Sequence, residues 1–275
     1  MTFAVGLLYV ILSKEARFLS KESYTHGIDF LGSRQGSWLL RRIGIPNRYG
    51  VRGYAGGDKW CNDCIDFQED RKVAESGLAF LQLLDAKVDI EPRPRIFLTE
   101  AERNKADNRW GGINSKKKRI IIAPGGGFPQ KCWGDERFSQ LTKLLLHQKN
   151  HLVLVIGAKE DRSRIHGSDQ KFVSRFHNLC GTLTLRESAA LVSRADFVIT
   201  NSSLCMHLAG AFKIPALTLL GEWYESAKTH HQQWGYPESL ILGKECSEGR
   251  RNPASPKDAL SAIKNHTPAL FQSTE

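Results

Sequence analysis

Residues 118–135 read KRIIIAPGGGFPQKCWGD, and the fold turns on this stretch. Arg119–Ala123 is an apolar run without polar alternation, the pattern of a strand covered on both faces. It passes straight into Pro124-Gly125-Gly126-Gly127, and Lys131 and Trp133 precede a helical pattern opening at Asp135. Glycines let backbone amides approach an anion without interference from Cβ, and the helix that follows adds its positive end. Lys131 sets an ammonium beside a diphosphate. Gly125, Gly126, Gly127 and Lys131 are therefore candidate phosphate ligands, although the same glycines also serve plain tight turns. The loop matches neither a Walker A sequence nor a GxGxxG fingerprint.

Working outward, His151–Ile156, Asp196–Thr200 and Pro215–Leu220 repeat the unalternating apolar pattern. Helical patterns lie between them: Asp135–Gln148 carries Phe138, Leu141 and Leu145 at helical spacing, and Thr184 with Glu187 forms a capping box ahead of Ala189–Val192. Alternating strands and helices imply right-handed crossovers and a doubly wound parallel sheet, whose ligands bind beyond the carboxyl ends of the strands. The first half is less regular. Val73–Leu84 reads as a helix, Ile96–Leu98 as a short strand, and the basic stretch Ala101–Lys118 as a linker. Pro256–Phe271 reads as one more helix. The expected organisation is an N-terminal domain and linker over 1–113, a Rossmann-like domain over 114–245 and a tail helix over 246–275.

The chain has 275 residues, 41% hydrophobic and 25% charged, a globular composition that excludes collagen-like, disordered and coiled-coil classes. Its longest apolar run, Phe3–Leu12, is about half the length of a membrane span and lacks the flanks of a secretory signal. The net charge of +10 points to anionic partners: phosphorylated small molecules, an acidic membrane surface or nucleic acid. The six cysteines read as reduced thiols. Cys61 and Cys64 form a single CxxC without the second pair a structural zinc site uses, so no metal and no cofactor are expected.

Two further loops end strands. Asn201, Ser202 and Ser203 follow Thr200, with Met206 and His207 on the helix beyond; the three polar residues read either as ligands or as helix caps, and His207 as a ligand or a packed residue. Gly221 and Glu222 follow Leu220, placed to hold ribose hydroxyls or to make an ordinary turn.

The order strand, APGGG, Lys-x-Trp, helix, VIG, CGTLT, MHLAGA, strand and Leu-Gly through most of 118–243 resembles glycosyltransferase family 9, the ADP-heptose:lipopolysaccharide heptosyltransferases. Asp29-Phe30-Leu31-Gly32-Ser33 is similar to the family's D-x-x-G-S strand and loop. The resemblance implies a GT-B-like α/β enzyme of two Rossmann-like domains, the N-terminal one incomplete. It implies that Gly125, Gly126, Gly127, Lys131, Ser202, Ser203, Met206, His207, Gly221 and Glu222 hold a nucleotide sugar, ADP-heptose. Asp29 and Arg34 would meet a phosphorylated lipopolysaccharide core acceptor, in the cytoplasm at the inner face of the inner membrane, in peripheral contact with anionic lipid.

Two departures accompany it. Ser202-Ser203-Leu204 stands where the family has Asp-Ser-Gly. The family's opening Gly-Asp turn, whose Asp serves as base, has no counterpart in residues 1–23, so the catalytic residue is unassigned. That motivates an alternative, a catalytically inactive truncated remnant that binds nucleotide or lipid. A second alternative, a basic nucleic-acid-binding protein, rests on net charge and Lys116–Arg119 without a recognisable motif; the leading reading therefore includes no nucleic acid.

Overall fold

The computed structural model describes residues 6, 8, 10, 12–87, 89–111, 117–165, 172–245 and 253–272. They form two compact units, Met1–Pro92 and Arg93–Glu275.

The first unit holds a three-stranded parallel sheet in the order β1-β2-β3, made of β1 (His26–Ile28), β2 (Asn47–Arg52) and β3 (Asp63–Asp66). A short helix α1 (Lys14–Leu19) precedes it. The crossover α2 (Arg34–Arg42) links the first two strands, and α3 (Val73–Gln82) follows the third. Its apolar cluster is small, centred on Ala16, Ile43 and Ile45.

The second unit is a six-stranded parallel sheet: β4 (Lys118–Ala123), β5 (His151–Val155), β6 (Phe176–Asn178), β7 (Phe197–Thr200), β8 (Ala216–Leu219) and β9 (Ser239–Leu242), in the order β6-β5-β4-β7-β8-β9. This is the doubly wound order in which the chain reverses direction across the sheet between its first and fourth strands, here β4 and β7. Strand residues alternate between two apolar layers. Ile120, Ile122, Val153, Val155, Phe197 and Ile199 pack with α5 (Asp135–Leu146) and α9 (Pro256–His266). Ile121, Leu154 and Val198 face α4 (Glu100–Arg109), α6 (Leu185–Val192) and α7 (Leu204–Ala211). Helices on both faces explain why these strands carry no polar alternation.

Residues 101–111 of the expected linker are a folded part of the second unit. Thr99 and Glu102 form a capping box that starts α4, and α4 packs along α6. Trp110 is fully buried, its Nε1–H donating to the Leu191 carbonyl at 3.2 Å. Arg186 binds the Glu102 carboxylate and holds its pKa down at about 2. Charges on the outer face of α4 mask this in the sequence, because only Ala106, Asp107 and Trp110 turn inward. Ile96–Leu98 forms no strand; Leu98 packs into the same layer. The unit boundary thus falls at Pro92, ahead of the expected 113. Of the basic run, Lys116 lies outside the described residues, while Arg119 stacks on Trp110 and pairs with Asp107 at 3.6 Å, nearly buried. The tail is no appendage either: Ser255 and Asp258 cap α9, and its Ala259 and Ile263 are fully buried in the layer that holds α5.

Trp110→Ala is expected to lower unfolding stability by about 3–5 kcal/mol, the usual range for emptying a buried aromatic site. A denaturant midpoint equal to that of the unsubstituted chain would show that residues 93–110 are not part of this core.

Candidate nucleotide-binding site

The loops after β4 and β7 meet through one side chain. Asn201, fully buried, donates from Nδ2 to the Pro124 carbonyl at 2.6 Å and to that of Gly125 at 3.3 Å, and its Oδ1 accepts the Trp133 amide at 2.9 Å. It therefore holds both ends of the glycine loop rather than capping α7. Ser203 occupies the N-cap, yet its hydroxyl pairs with Thr200 at 3.2 Å instead of with a helix amide.

A cleft of about 740 Å³ opens beyond these carboxyl ends. Gly125, Gly126, Gly127, Lys131, Ser202 and Ser203 line it, together with Leu204, Cys205 and Leu208 of α7. The turn after β5, Gly157–Lys159 and Asp161, and Gly181 complete the lining. Two glycines are required by close approach: a Cβ on Gly125 would stand 2.4 Å from the Asp161 carboxylate, and one on Gly157 would stand 2.7 Å from it. Asp161 accepts the Ala158 amide at 2.9 Å and pairs with Arg164 at 2.8 Å. Lys131 ends a short 3-10 turn, Pro129–Lys131, with its Nζ 5.0 Å from the Phe128 ring and 5.9 Å from the Tyr224 ring. Lys159 is a second cation in the lining.

Several expected ligands do not line this cleft. The α7 face turned to it carries Leu204, Cys205 and Leu208; at about 100° per residue, Met206 and His207 point elsewhere. Met206 is buried, and His207 accepts or donates through Nδ1 to the Tyr236 hydroxyl at 2.8 Å with Trp234 against its ring. Burial lowers the His207 pKa, as it does for a packed histidine. Gly221 is buried where a Cβ would lie 2.4 Å from the Gln130 carbonyl and 2.5 Å from that of Cys132. Its amide donates to the Lys131 carbonyl at 3.2 Å and Trp223 donates to Gln130 at 3.1 Å, so this segment braces the lysine turn. Glu222 is exposed and is not part of the cleft lining. The helix end that meets the cleft is that of α7, not of α5: Asp135 opens α5 and is bound by Arg164 at 3.1 Å.

In the first unit, Asp29 is buried and turned onto its own loop, accepting the amides of Leu31 at 3.1 Å and Ser33 at 2.8 Å. A Cβ on Gly36 would collide with its carboxylate at 2.5 Å, so α2 rests on it. It closes the loop, and desolvation raises its pKa against these amide bonds. Arg34 lies exposed on α2, its guanidinium beside Gly56. Cys61 donates to the Gly57 carbonyl at 3.2 Å, and burial pushes its thiol up to about 12. Among the described residues no group of three or more potential ligands is set to hold a metal.

The sequence reading missed Asp161, Lys159 and the bracing role of Asn201. Gly157-Ala158-Lys159-Glu160-Asp161 follows the strand adjacent to β4, the position from which a carboxylate reaches ribose hydroxyls in doubly wound sheets. That signal was present but carries no spacing fingerprint of its own.

The sheet order, the glycine loop at the reversal point and the lysine beside it define a Rossmann-like unit of GT-B type. The profile of glycosyltransferase family 9 (heptosyltransferase) matches residues 13–238. The chain belongs to that family. It is 27% identical over 134 residues to lipopolysaccharide heptosyltransferase 2 of Escherichia coli K12, covering 46% of this chain and 38% of the relative's length. To lipooligosaccharide heptosyltransferase 2 of Haemophilus influenzae it is 28% identical over 156 residues, covering 52% of this chain and 44% of the relative. The chain thus spans less than half the length of these relatives in alignment. In fold it is similar to the structure of E. coli ADP-heptose LPS heptosyltransferase II, with a TM-score of 0.70 at 18% identity over 93% of this chain and 80% of that one. A family 9 structure from Veillonella parvula gives 0.69 at 16% over 98% and 80%.

His230, buried on α8 (Ala227–Trp234), has its pKa lowered to about 4 chiefly by desolvation, with His207, His231 and Lys131 adding to it. The folded chain therefore binds fewer protons there than the unfolded chain between about pH 4 and the ordinary imidazole value near 6.5. Its contribution is complete above that window and is lost as pH falls through it. His230→Gln is expected to flatten the fall in unfolding stability between pH 7 and pH 4.5; parallel curves for the two proteins, followed by denaturant titration, would refute this.

Proposed function

We propose that the chain transfers a sugar, heptose, from ADP-heptose to a phosphorylated lipopolysaccharide core acceptor. The observation that carries the reading is the cleft at the ends of β4 and β7, which is lined by the glycine loop, Lys131, Lys159 and Asp161. Family membership supports the reaction class.

In such a transfer an acceptor hydroxyl attacks the anomeric carbon, the bond from that carbon to the diphosphate oxygen breaks, and ADP leaves with the electron pair. The centre passes through an oxocarbenium-like state, so the main electrostatic task is to stabilise charge growing on the diphosphate. Lys131, the glycine loop and the N-terminus of α7 supply that positive field, while Asp161 is placed for the ribose hydroxyls. Arg34 in the first unit is the candidate contact for acceptor phosphate. The net charge of +10 supports contact with the anionic cytoplasmic leaflet, and no described helix is long and apolar enough to cross a membrane.

Calorimetric titration tests the donor site directly. The chain is expected to bind ADP, and Lys131→Met to weaken ADP by about tenfold or more while leaving adenosine nearly unchanged, because the lost ammonium faces only the phosphates. No ADP affinity, or an equal loss for adenosine, contradicts the assignment. A transfer assay with ADP-heptose separates the readings: binding with turnover supports the enzyme, and binding without it supports a chain that only holds nucleotide.

A further inference from the structure

The segments that meet at Lys131 carry aromatic rings for which the nucleotide cleft has no use. Trp223, in the loop after β8, is 58% exposed. Its place is nonetheless fixed. Its amide donates to the Gln130 carbonyl at 3.1 Å, the Gly221 amide of the same loop donates to the Lys131 carbonyl at 3.2 Å, and the indole meets the Phe128 ring edge to face at 5.0 Å. The Phe128 ring in turn lies 5.0 Å from Nζ of Lys131. A lone exposed apolar side chain needs no explanation. An indole braced by its loop and by an aromatic neighbour, next to the cation of a phosphate site, has given up freedom that an ordinary surface residue keeps.

The glycine loop gives the cleft a direction. Gly125, at its start, lies against the Asp161 carboxylate, where a Cβ would stand 2.4 Å away. Gly127, at its end, is followed by Phe128 and then by the turn that carries Lys131. A nucleoside diphosphate with its ribose at Asp161 therefore runs along the loop toward Lys131, and the group esterified to its terminal phosphate comes next, beside Phe128 and Trp223. Neither ring is part of the cleft lining. That group then sits just outside the cleft, where an attacking hydroxyl can reach its anomeric carbon. A sugar ring suits such a place. It carries hydroxyls around its edge and C–H bonds on its faces, and those partly positive hydrogens match the negative face of an indole.

We propose that Trp223 is the platform on which the sugar ring of the donor stacks, with Phe128 holding the indole in place. The inference rests on the nucleotide reading of the cleft and assigns a residue to the part of the donor for which that reading names no contact. Recognition here is by ring faces, so it senses that a sugar follows the diphosphate.

Calorimetric titration of the full chain with ADP and with ADP-heptose, without acceptor, tests it, with thermal unfolding measured alongside. The quantity read is the ratio of the two dissociation constants. Trp223→Ala is expected to weaken ADP-heptose by about fivefold, the ordinary worth of an aromatic stacking contact, and to leave ADP nearly unchanged. Trp223→Phe, which keeps an aromatic face, is expected to retain most of the affinity for ADP-heptose. Trp223→Leu, which keeps only apolar bulk, is expected to behave as the alanine variant does and serves if that variant does not fold. A ratio unaltered in Trp223→Ala and Trp223→Leu, or equal losses of ADP-heptose in the phenylalanine and leucine variants, overturns the proposal. So does weaker sedimentation of Trp223→Ala with phosphatidylglycerol vesicles while both ligands bind as before, which assigns the indole to lipid instead. Failure of the unsubstituted chain to bind either ligand removes the nucleotide reading, and this inference with it; normal ADP binding with a constant ratio across the variants removes the inference alone.

Discussion

The buried amide of Asn201 holds the loops at the carboxyl edge of the second unit's sheet together. It sits at the point where the doubly wound sheet reverses, and two strands whose connections leave in opposite senses would otherwise open a gap there. Its Nδ2 and Oδ1 bridge the Pro124 and Gly125 carbonyls to the Trp133 amide, so the glycine loop is pinned at both ends. A backbone group buried at such a gap without a partner costs about 1–3 kcal/mol, and one side chain satisfies several of them. Lys131 is held indirectly by the same device, since its turn lies between the two pinned ends.

Around this tie the cleft is built by close approach rather than by flexible side chains. The Asp161 carboxylate occupies space that Gly125 and Gly157 leave open, and Gly221 lets the segment after β8 lie against the carbonyls of the lysine turn. Each of these glycines answers to a specific neighbour. Gly127 differs from the rest of its loop: a Cβ there would meet no atom within 4 Å, and it is the exposed member of the three. The loop thus combines two backbone positions dictated by packing with one left open to the cleft.

The two histidines near this region show how burial decides role. His207 stands on the first turn of α7, where periodicity turns it away from the cleft onto Tyr236 and Trp234. His230, on a helix that no short motif marks, reaches the cleft wall through Ser202. The family resemblance drew attention to the first and passed over the second, because a motif records order along the chain and not the direction a side chain takes.

The parallel sheet, its helices on both faces and the capping box of Thr184 with Glu187 were legible in the sequence, because apolar runs and cap residues act over a few neighbouring positions. The glycine loop and Lys131 were legible for the same reason, and they do line the cleft. The helix over Glu100–Arg109 was hidden because its charged outer face outnumbers the few residues it buries, and only packing against α6 reveals which face is which. Met206, His207, Gly221 and Glu222 were singled out by their place after strands and by the resemblance, and in the structure none of the four lines this cleft, while Asp29 binds the amides of its own loop. Asn201 and His230 act on residues 77 and 28 positions distant, so their partners exist only once the strands are side by side.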